Sequence, residues 1–135
     1  KVLQIDTPKV ALIAATEQVS VGMPACVDAA VIAAMGGRGQ IKGAIIDGPL
    51  AMDVAIDKES VQIKKLKGEV AGNADCLVFP NIESGNVFYK TATKFAGAEL
   101  AAMVVGAKVP CVLSSRGDST KTKMYSIALA ALSCK

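Results

Sequence analysis

Apolar residues fall in short runs along this chain, broken by polar residues, glycine and proline, and the length of each run limits what it can form. Val10 to Ala15 is continuous, follows Pro8 and is too short for a helix, which makes it a buried strand of the parallel kind. It gives way to Thr16-Glu17-Gln18, and Pro24 suits the first position of the helix that follows. From Ala25 to Met35 the only charge is Asp28, while Val27, Ala30, Val31 and Ala34 share a face, so the pattern predicts a helix buried on most sides. Gly36-Gly37-Arg38-Gly39 stops it. Ile41 to Ile46 predicts a second buried strand that ends in Asp47-Gly48-Pro49, with a helix from Leu50 through Asp53 to Ile56.

Asp57 to Lys67 is the most polar part of the chain; its lysines alternate with Val61, Ile63 and Leu66 without a clean period, as in an exposed helix or an irregular surface excursion. Cys76 to Phe79 is the third strand, ended by Pro80. A helix from Asn81 through Phe95 has Val87, Phe88, Thr91 and Phe95 as its packing side. Ser84 suits its N-cap, which would leave the amides of Gly85 and Asn86 pointing outward. Leu100 to Val105 and Val109 to Leu113 read as fourth and fifth strands around the turn Gly106-Ala107-Lys108. From Thr120, the positions Met124, Ile127, Ala128 and Ala131 mark a last helix whose final turns are apolar all round, so it must pack inside a larger body or against a partner. Strands alternating with helices predict an α/β fold, a three-layer αβα sandwich with a mostly parallel sheet. Its strand ends at Ala15, Ile46, Phe79 and Leu113 should share one edge. A boundary near Gly97, attaching the last two strands and the last helix to a different sheet, is the alternative.

Composition trims the functional classes. Of the 135 residues 52% are hydrophobic, yet no run nears the roughly 20 residues that span a bilayer. The opening Lys1-Val2-Leu3-Gln4-Ile5-Asp6 has neither an initiator Met nor a signal-peptide layout, which points to no targeting segment and to residues removed upstream. A net charge of +3, scattered, with 4% aromatics, is too mild for nucleic acid. Cys26, Cys76, Cys111 and Cys134 lie far apart in apolar neighbourhoods and read as reduced, buried cysteines of a cytosolic protein. Histidine is absent. That removes histidine triads and histidine metal ligands and shifts acid–base work to carboxylates, Lys, Tyr or Cys.

The site-like stretch is Val109-Pro110-Cys111-Val112-Leu113-Ser114-Ser115-Arg116-Gly117-Asp118-Ser119. An apolar run ends in two hydroxyls, a guanidinium, a glycine and a carboxylate, and then a helical pattern begins. Ligands of open α/β sheets collect beyond the carboxyl ends of strands, where helix N-termini favour anions. Arginine adds a planar fork matched to phosphate or carboxylate. The plainer reading makes Arg116 a surface charge, Gly117 a turn residue and Asp118 or Ser119 a helix N-cap. Asp47 is likewise open to turn or capping duty, and Asp53 to a solvated helix face.

The segment Ala74-Asp75-Cys76-Leu77-Val78-Phe79-Pro80-Asn81-Ile82-Glu83-Ser84-Gly85-Asn86-Val87-Phe88-Tyr89-Lys90, then Gly106-Ala107-Lys108-Val109-Pro110 and Ser115-Arg116-Gly117, resembles the carboxyl-terminal part of the phosphotransacylases, phosphate acetyltransferase and phosphate butyryltransferase. Ile45-Ile46-Asp47-Gly48-Pro49-Leu50-Ala51-Met52-Asp53 and Met23-Pro24-Ala25-Cys26-Val27-Asp28-Ala29 extend the resemblance over nearly the whole chain. It implies reversible acyl transfer between coenzyme A and inorganic phosphate as substrates, with no metal or bound redox cofactor. It also implies a cytoplasmic homodimer with a fold similar to isocitrate and isopropylmalate dehydrogenases, two α/β domains flanking a cleft. Residues 1–135 would be the carboxyl-terminal half, without nucleic-acid or membrane partners. The loop Thr16-Glu17-Gln18-Val19-Ser20-Val21-Gly22 and the run from Asp118 to Ala130 look like the butyryl branch.

On this resemblance Arg116 meets phosphate, and Ser115, or less readily Ser114, donates to a phosphate oxygen or to the oxyanion. The amides of Gly85 and Asn86 add anion contacts, and Asp47, Gly48 and Pro49 are further substrate-binding positions. The acetyl branch has a carboxylate, proposed as general base, six residues after the arginine; here that position is Thr122, and Asp118 is the nearest carboxylate. Two rivals are an acyl-coenzyme A sensor built on the same domain, and a dehydrogenase of the related fold. The second lacks both G-x-G-x-x-G after the first strand and clustered aspartates.

Overall fold

In the computed structural model, which describes residues 2–134, the sheet is organised on its first strand. Strand β1 (Lys9–Ile13) lies between β2 (Ile45–Leu50) and β3 (Cys76–Val78), and both pairings are parallel. A central parallel strand is covered on both faces, which is why its sequence is an unbroken apolar run; Ala11, Leu12 and Ile13 are buried. Helix α1 (Pro24–Gly37) follows β1, the short helices α2 (Met52–Ile56) and α3 (Lys58–Ile63) follow β2, and α4 (Ile82–Phe95) and α5 (Thr120–Ser133) complete the order. The chain divides into two compact units, Leu3–Gly85 and the residues from Asn86 onward.

In the first unit, Ala11 and Ile13 of β1, Leu50 of β2, Val54 and Ala55 of α2, and Val70 form the core. The approach of β1 to β2 is close enough to require glycine at 48. A Cβ there would stand 2.6 Å from Leu12 Cβ and 2.9 Å from the Leu12 carbonyl oxygen. The register shifts at this point, between Ala11 and Ile13. Strand β2 therefore starts at Ile45 rather than Ile41 and contains Asp47-Gly48-Pro49 instead of ending before them. Proline is tolerated because β2 is at the edge of the described sheet, where a missing donor costs little.

Helix α1 buries Cys26 and Ala29 but leaves Val31 54% exposed, so it is covered on one side rather than on most. The lysine-rich stretch resolves into a helix: Asp57 caps α3 by accepting from the amides of Glu59 and Ser60. Helix α4 opens one turn earlier than a Ser84 cap requires. Asn81 Oδ1 accepts from the Ser84 amide at 2.9 Å, and the Asn81 carbonyl accepts from the Gly85 amide at 3.3 Å.

The second unit departs most from the sequence pattern. Leu100–Val105 and Val109–Leu113 form no strands, only an antiparallel bridge between Val104 and Cys111, so Leu113 is not a strand end. β-Branched content supplies strand propensity, but a strand needs a neighbour, and Pro110 removes a donor. A buried hydroxyl holds this segment instead: Ser126 Oγ accepts from the Ala102 amide at 2.9 Å and donates to the Thr122 carbonyl at 2.8 Å. Val87 and Phe95, on the expected packing side of α4, are exposed, as are Met124 and Ile127 of α5. All four cysteines are free; Cys26 is buried, Cys111 half-buried, and Cys76 and Cys134 exposed, against the expectation of burial. Among the described residues no helix is long and apolar enough to cross a membrane.

Candidate active site

Residues 115–118 form a closed turn before α5. The Asp118 amide donates to the Ser115 carbonyl at 3.1 Å, and the Ser115 amide donates back to Asp118 Oδ2 at 2.7 Å. Ser119, not Asp118, caps α5, its Oγ accepting from the Thr122 amide at 3.1 Å. The other carboxylate oxygen, Asp118 Oδ1, accepts from the Tyr89 hydroxyl of α4 at 2.5 Å. Lys90 Nζ donates to that same hydroxyl at 3.1 Å and stands 4.3 Å from the centre of the Tyr89 ring.

The Tyr89 hydroxyl, first, and the Ser115 amide, second, hold the Asp118 carboxyl below the usual carboxylate range, with the charges of Lys90 and Lys123 adding to the effect. Both oxygens are occupied and the carboxylate form is favoured. That makes Asp118 a strong tie for the turn and a weak proton acceptor. Arg116, exposed at the second position of the turn, forms no hydrogen bond or ion pair among the described residues. Beside the turn is a cavity of about 140 Å³ whose lining includes Tyr89, Lys90, Thr93, Lys94, Asp118 and Thr122.

Ser115, Arg116 and Asp118 are thus brought together in one turn, and Ser114 adjoins it. The Gly85 amide is used inside α4, so that backbone contact is not available as the N-cap argument required, and Asn86 lies one residue further along the helix. Asp47, Gly48 and Pro49 belong to the sheet unit. Asp47 Oδ1 accepts from the Gly48 amide at 2.8 Å, Pro49 is buried, and Gly48 is fixed by its approach to Leu12.

Sequence reasoning passed over two arrangements. Tyr89 and Lys90 were visible in the 74–90 segment, and the absence of histidine pointed to Tyr and Lys, but their reach to Asp118 is a tertiary contact. In the sheet unit, Lys64 Nζ lies 2.5 Å from Glu17 Oε1 and 3.0 Å from Asp53 Oδ2, joining the loop after β1 to α2. Asp53 is therefore an ion-pair partner rather than only a solvated face. The Lys64 hydrogen bond lowers the pKa of Glu17 and of Asp53, and Glu17, then Asp53, raise that of Lys64.

Residues 1–131 match the family described as phosphate acetyl/butaryl transferase. The chain belongs to this family. Phosphate butyryltransferase of Clostridium acetobutylicum is 52% identical over 128 residues, which are 95% of this chain and 42% of that protein. Phosphate acetyltransferase of Thermotoga maritima is 47% identical over 131 residues, 97% of this chain and 45% of that protein. Among solved structures, a branched-chain phosphotransacylase from Enterococcus faecalis V583 has a TM-score of 0.87 at 39% identity, over 97% of this chain and 47% of that one. The acetyl/butaryl transferase segment described here spans less than half the length of these relatives.

Proposed function

We propose that this chain is the carboxyl-terminal portion of a phosphotransacylase that moves a short acyl group between coenzyme A and inorganic phosphate, with butyryl the preferred group and acetyl the alternative. The carrying observation is the 115–118 turn, tied shut through Asp118 while the Arg116 guanidinium forms no hydrogen bond or ion pair among the described residues. The reading extends to two α/β domains around a cleft, of the kind found in isocitrate dehydrogenases, to a cytoplasmic homodimer, and to chemistry without a metal or bound cofactor.

In the direction of thioester synthesis, the coenzyme A thiolate attacks the carbonyl carbon of the acyl phosphate, a tetrahedral oxyanion forms, and its collapse expels phosphate. In reverse, a phosphate oxygen attacks the thioester carbonyl and expels the thiolate. Arg116 holds two oxygens of the phosphoryl group in its planar fork. The hydroxyls of Ser115 and Ser114 donate to a phosphoryl oxygen or to the oxyanion, where preorganised donors are worth most. Asn86 remains a candidate substrate contact. Asp118 ties the turn instead of acting as base. A thiol of pKa about 8.5 is already a few per cent ionised near neutral pH, so a weak or absent base suffices.

The test is phosphate-dependent turnover of acetyl-, butyryl- and isobutyryl-coenzyme A by the full-length enzyme and by its Arg116→Lys variant. We expect butyryl to be fastest and Arg116→Lys to lose at least about tenfold in phosphate usage with coenzyme A affinity changed far less. Binding of coenzyme A without turnover would move the reading to a sensor. The isolated 135-residue chain should turn over at least about a thousandfold more slowly than the full-length enzyme, because orienting two substrates is worth roughly 7–11 kcal/mol and needs both walls of the cleft.

A further inference from the structure

We propose that Tyr89 is a positioning residue for Arg116, acting through Asp118, and that Lys90 strengthens its hold; this rests on the reading of Arg116 as the phosphate ligand. The turn that carries Arg116 is exposed at Ser115, Arg116 and Gly117, and directional bonds hold it. The tie from outside the turn is the Tyr89 hydroxyl, which donates to Asp118 Oδ1 at 2.5 Å, while Asp118 Oδ2 holds the Ser115 amide at 2.7 Å. Tyr89 sits on a regular helix and is half-buried, with only two side-chain torsions, so its oxygen has few positions open to it. Lys90 donates to the phenol oxygen at 3.1 Å. A donor at that oxygen polarises the O–H bond and makes the phenol a stronger donor to the carboxylate, so the chain ammonium, phenol, carboxylate, amide is cooperative.

The geometry separates two consequences of losing the hydroxyl. Asp118 keeps its Ser115 contact but gains freedom to rotate, so the turn opens more often without α4 or α5 unfolding. Arg116 then spends less time aimed at its anion, which weakens phosphate and acyl phosphate but not a substrate held elsewhere.

The experiment uses the full-length enzyme. Tyr89→Phe should speed amide hydrogen exchange in the segment 114–119 at least about fivefold, with helix α4 unaffected. It should raise KM for phosphate and for acyl phosphate about tenfold while KM for coenzyme A stays within about twofold. Lys90→Gln should show the same pattern more weakly. In a double-mutant cycle with Asp118→Ala, the Tyr89→Phe penalty should vanish, since both changes break one tie. Unchanged exchange, an unchanged phosphate KM, an equal rise for coenzyme A, or full additivity with Asp118→Ala would each overturn the proposal. A wild-type enzyme without phosphate-dependent turnover overturns the proposed function instead, and the exchange comparison still decides whether Tyr89 holds the turn.

Discussion

In the unit Leu3–Gly85, Ala11, Val54, Ala55 and Val70 are packed away from water against a parallel sheet. In the unit from Asn86 onward, the buried side chain among the described residues is a serine, Ser126, while Phe95, Ile127 and Leu132 are exposed. Both units are rich in alanine and valine, so apolar content is not what separates them. The first has a sheet with two faces on which helices can bury a stripe. The second has two helices and an irregular segment joined by polar ties: Tyr89 to Asp118, Ser126 to Ala102, and the ion pair of Lys121 with Glu99. Apolar burial yields about 25 cal/mol per Å² regardless of direction, whereas a hydrogen bond contributes only about 1 kcal/mol net but fixes an orientation. The 115–118 turn lies in the region built from the second kind of interaction.

The largest effect should come from overfilling the first region. Gly48→Ala sets a methyl against the Leu12 backbone and should cost about 3 kcal/mol, the upper end for overpacking, measured as a fall in the urea midpoint at constant slope. A variant as stable as the parent would mean that the two regions do not differ in tightness. In the second region, Ser126→Ala strands the Ala102 amide and should cost about 1–2 kcal/mol, with faster hydrogen exchange confined to residues from Asn86 onward.

Asp118→Asn sharpens the contrast further. A tie, unlike a base, leaves the pH dependence of turnover unaltered between pH 6 and 9, roughly two units or more above an ordinary carboxylate. A new pH dependence there would restore Asp118 as the base. The sign for the parent follows from its lowered pKa: the tie is intact above the usual aspartate value of 3.8 and is lost as pH falls through the lower folded value.

The smallest effect belongs to Lys64→Met. Glu17 and Asp53 would return toward 4.5 and 3.8, so the parent's advantage should be present above those values and fade as pH falls below them. Because the pair is solvent-exposed, melting temperatures of parent and variant should converge in about 0.5 M salt.

The sequence pattern was readable wherever an element's own residues determined it. The β1 run formed a strand, though over Lys9–Ile13 so that it ends two residues before Ala15, and the Pro24 start of α1 and the last helix after a serine cap formed where capping chemistry placed them. Strand β2 was misplaced by four residues because Asp, Gly and Pro ordinarily end strands; here the glycine is demanded by Leu12, a residue distant in sequence. The fourth and fifth strands failed for a related reason, since Leu100–Val105 and Val109–Leu113 have strand composition but among the described residues pair only through the single Val104–Cys111 bridge. Ser115, Arg116 and Asp118 were legible as a candidate site because they fall within four consecutive residues. Tyr89 was not, because it meets Asp118 from 29 residues away.

The central place of β1 also governs the order in which the chain can fold during its synthesis. Of the three described strands, the one earliest in the sequence is the one that both others pair with, and its Lys9 amide is held by the carboxylate of Asp75, 66 residues later. Until the ribosome has released residues past Val78, β1 can have at most one of its two neighbours, and apolar residues such as Leu12 and Ile13 must wait in a nascent chain. Slowing translation between β2 and β3 would lengthen that exposure.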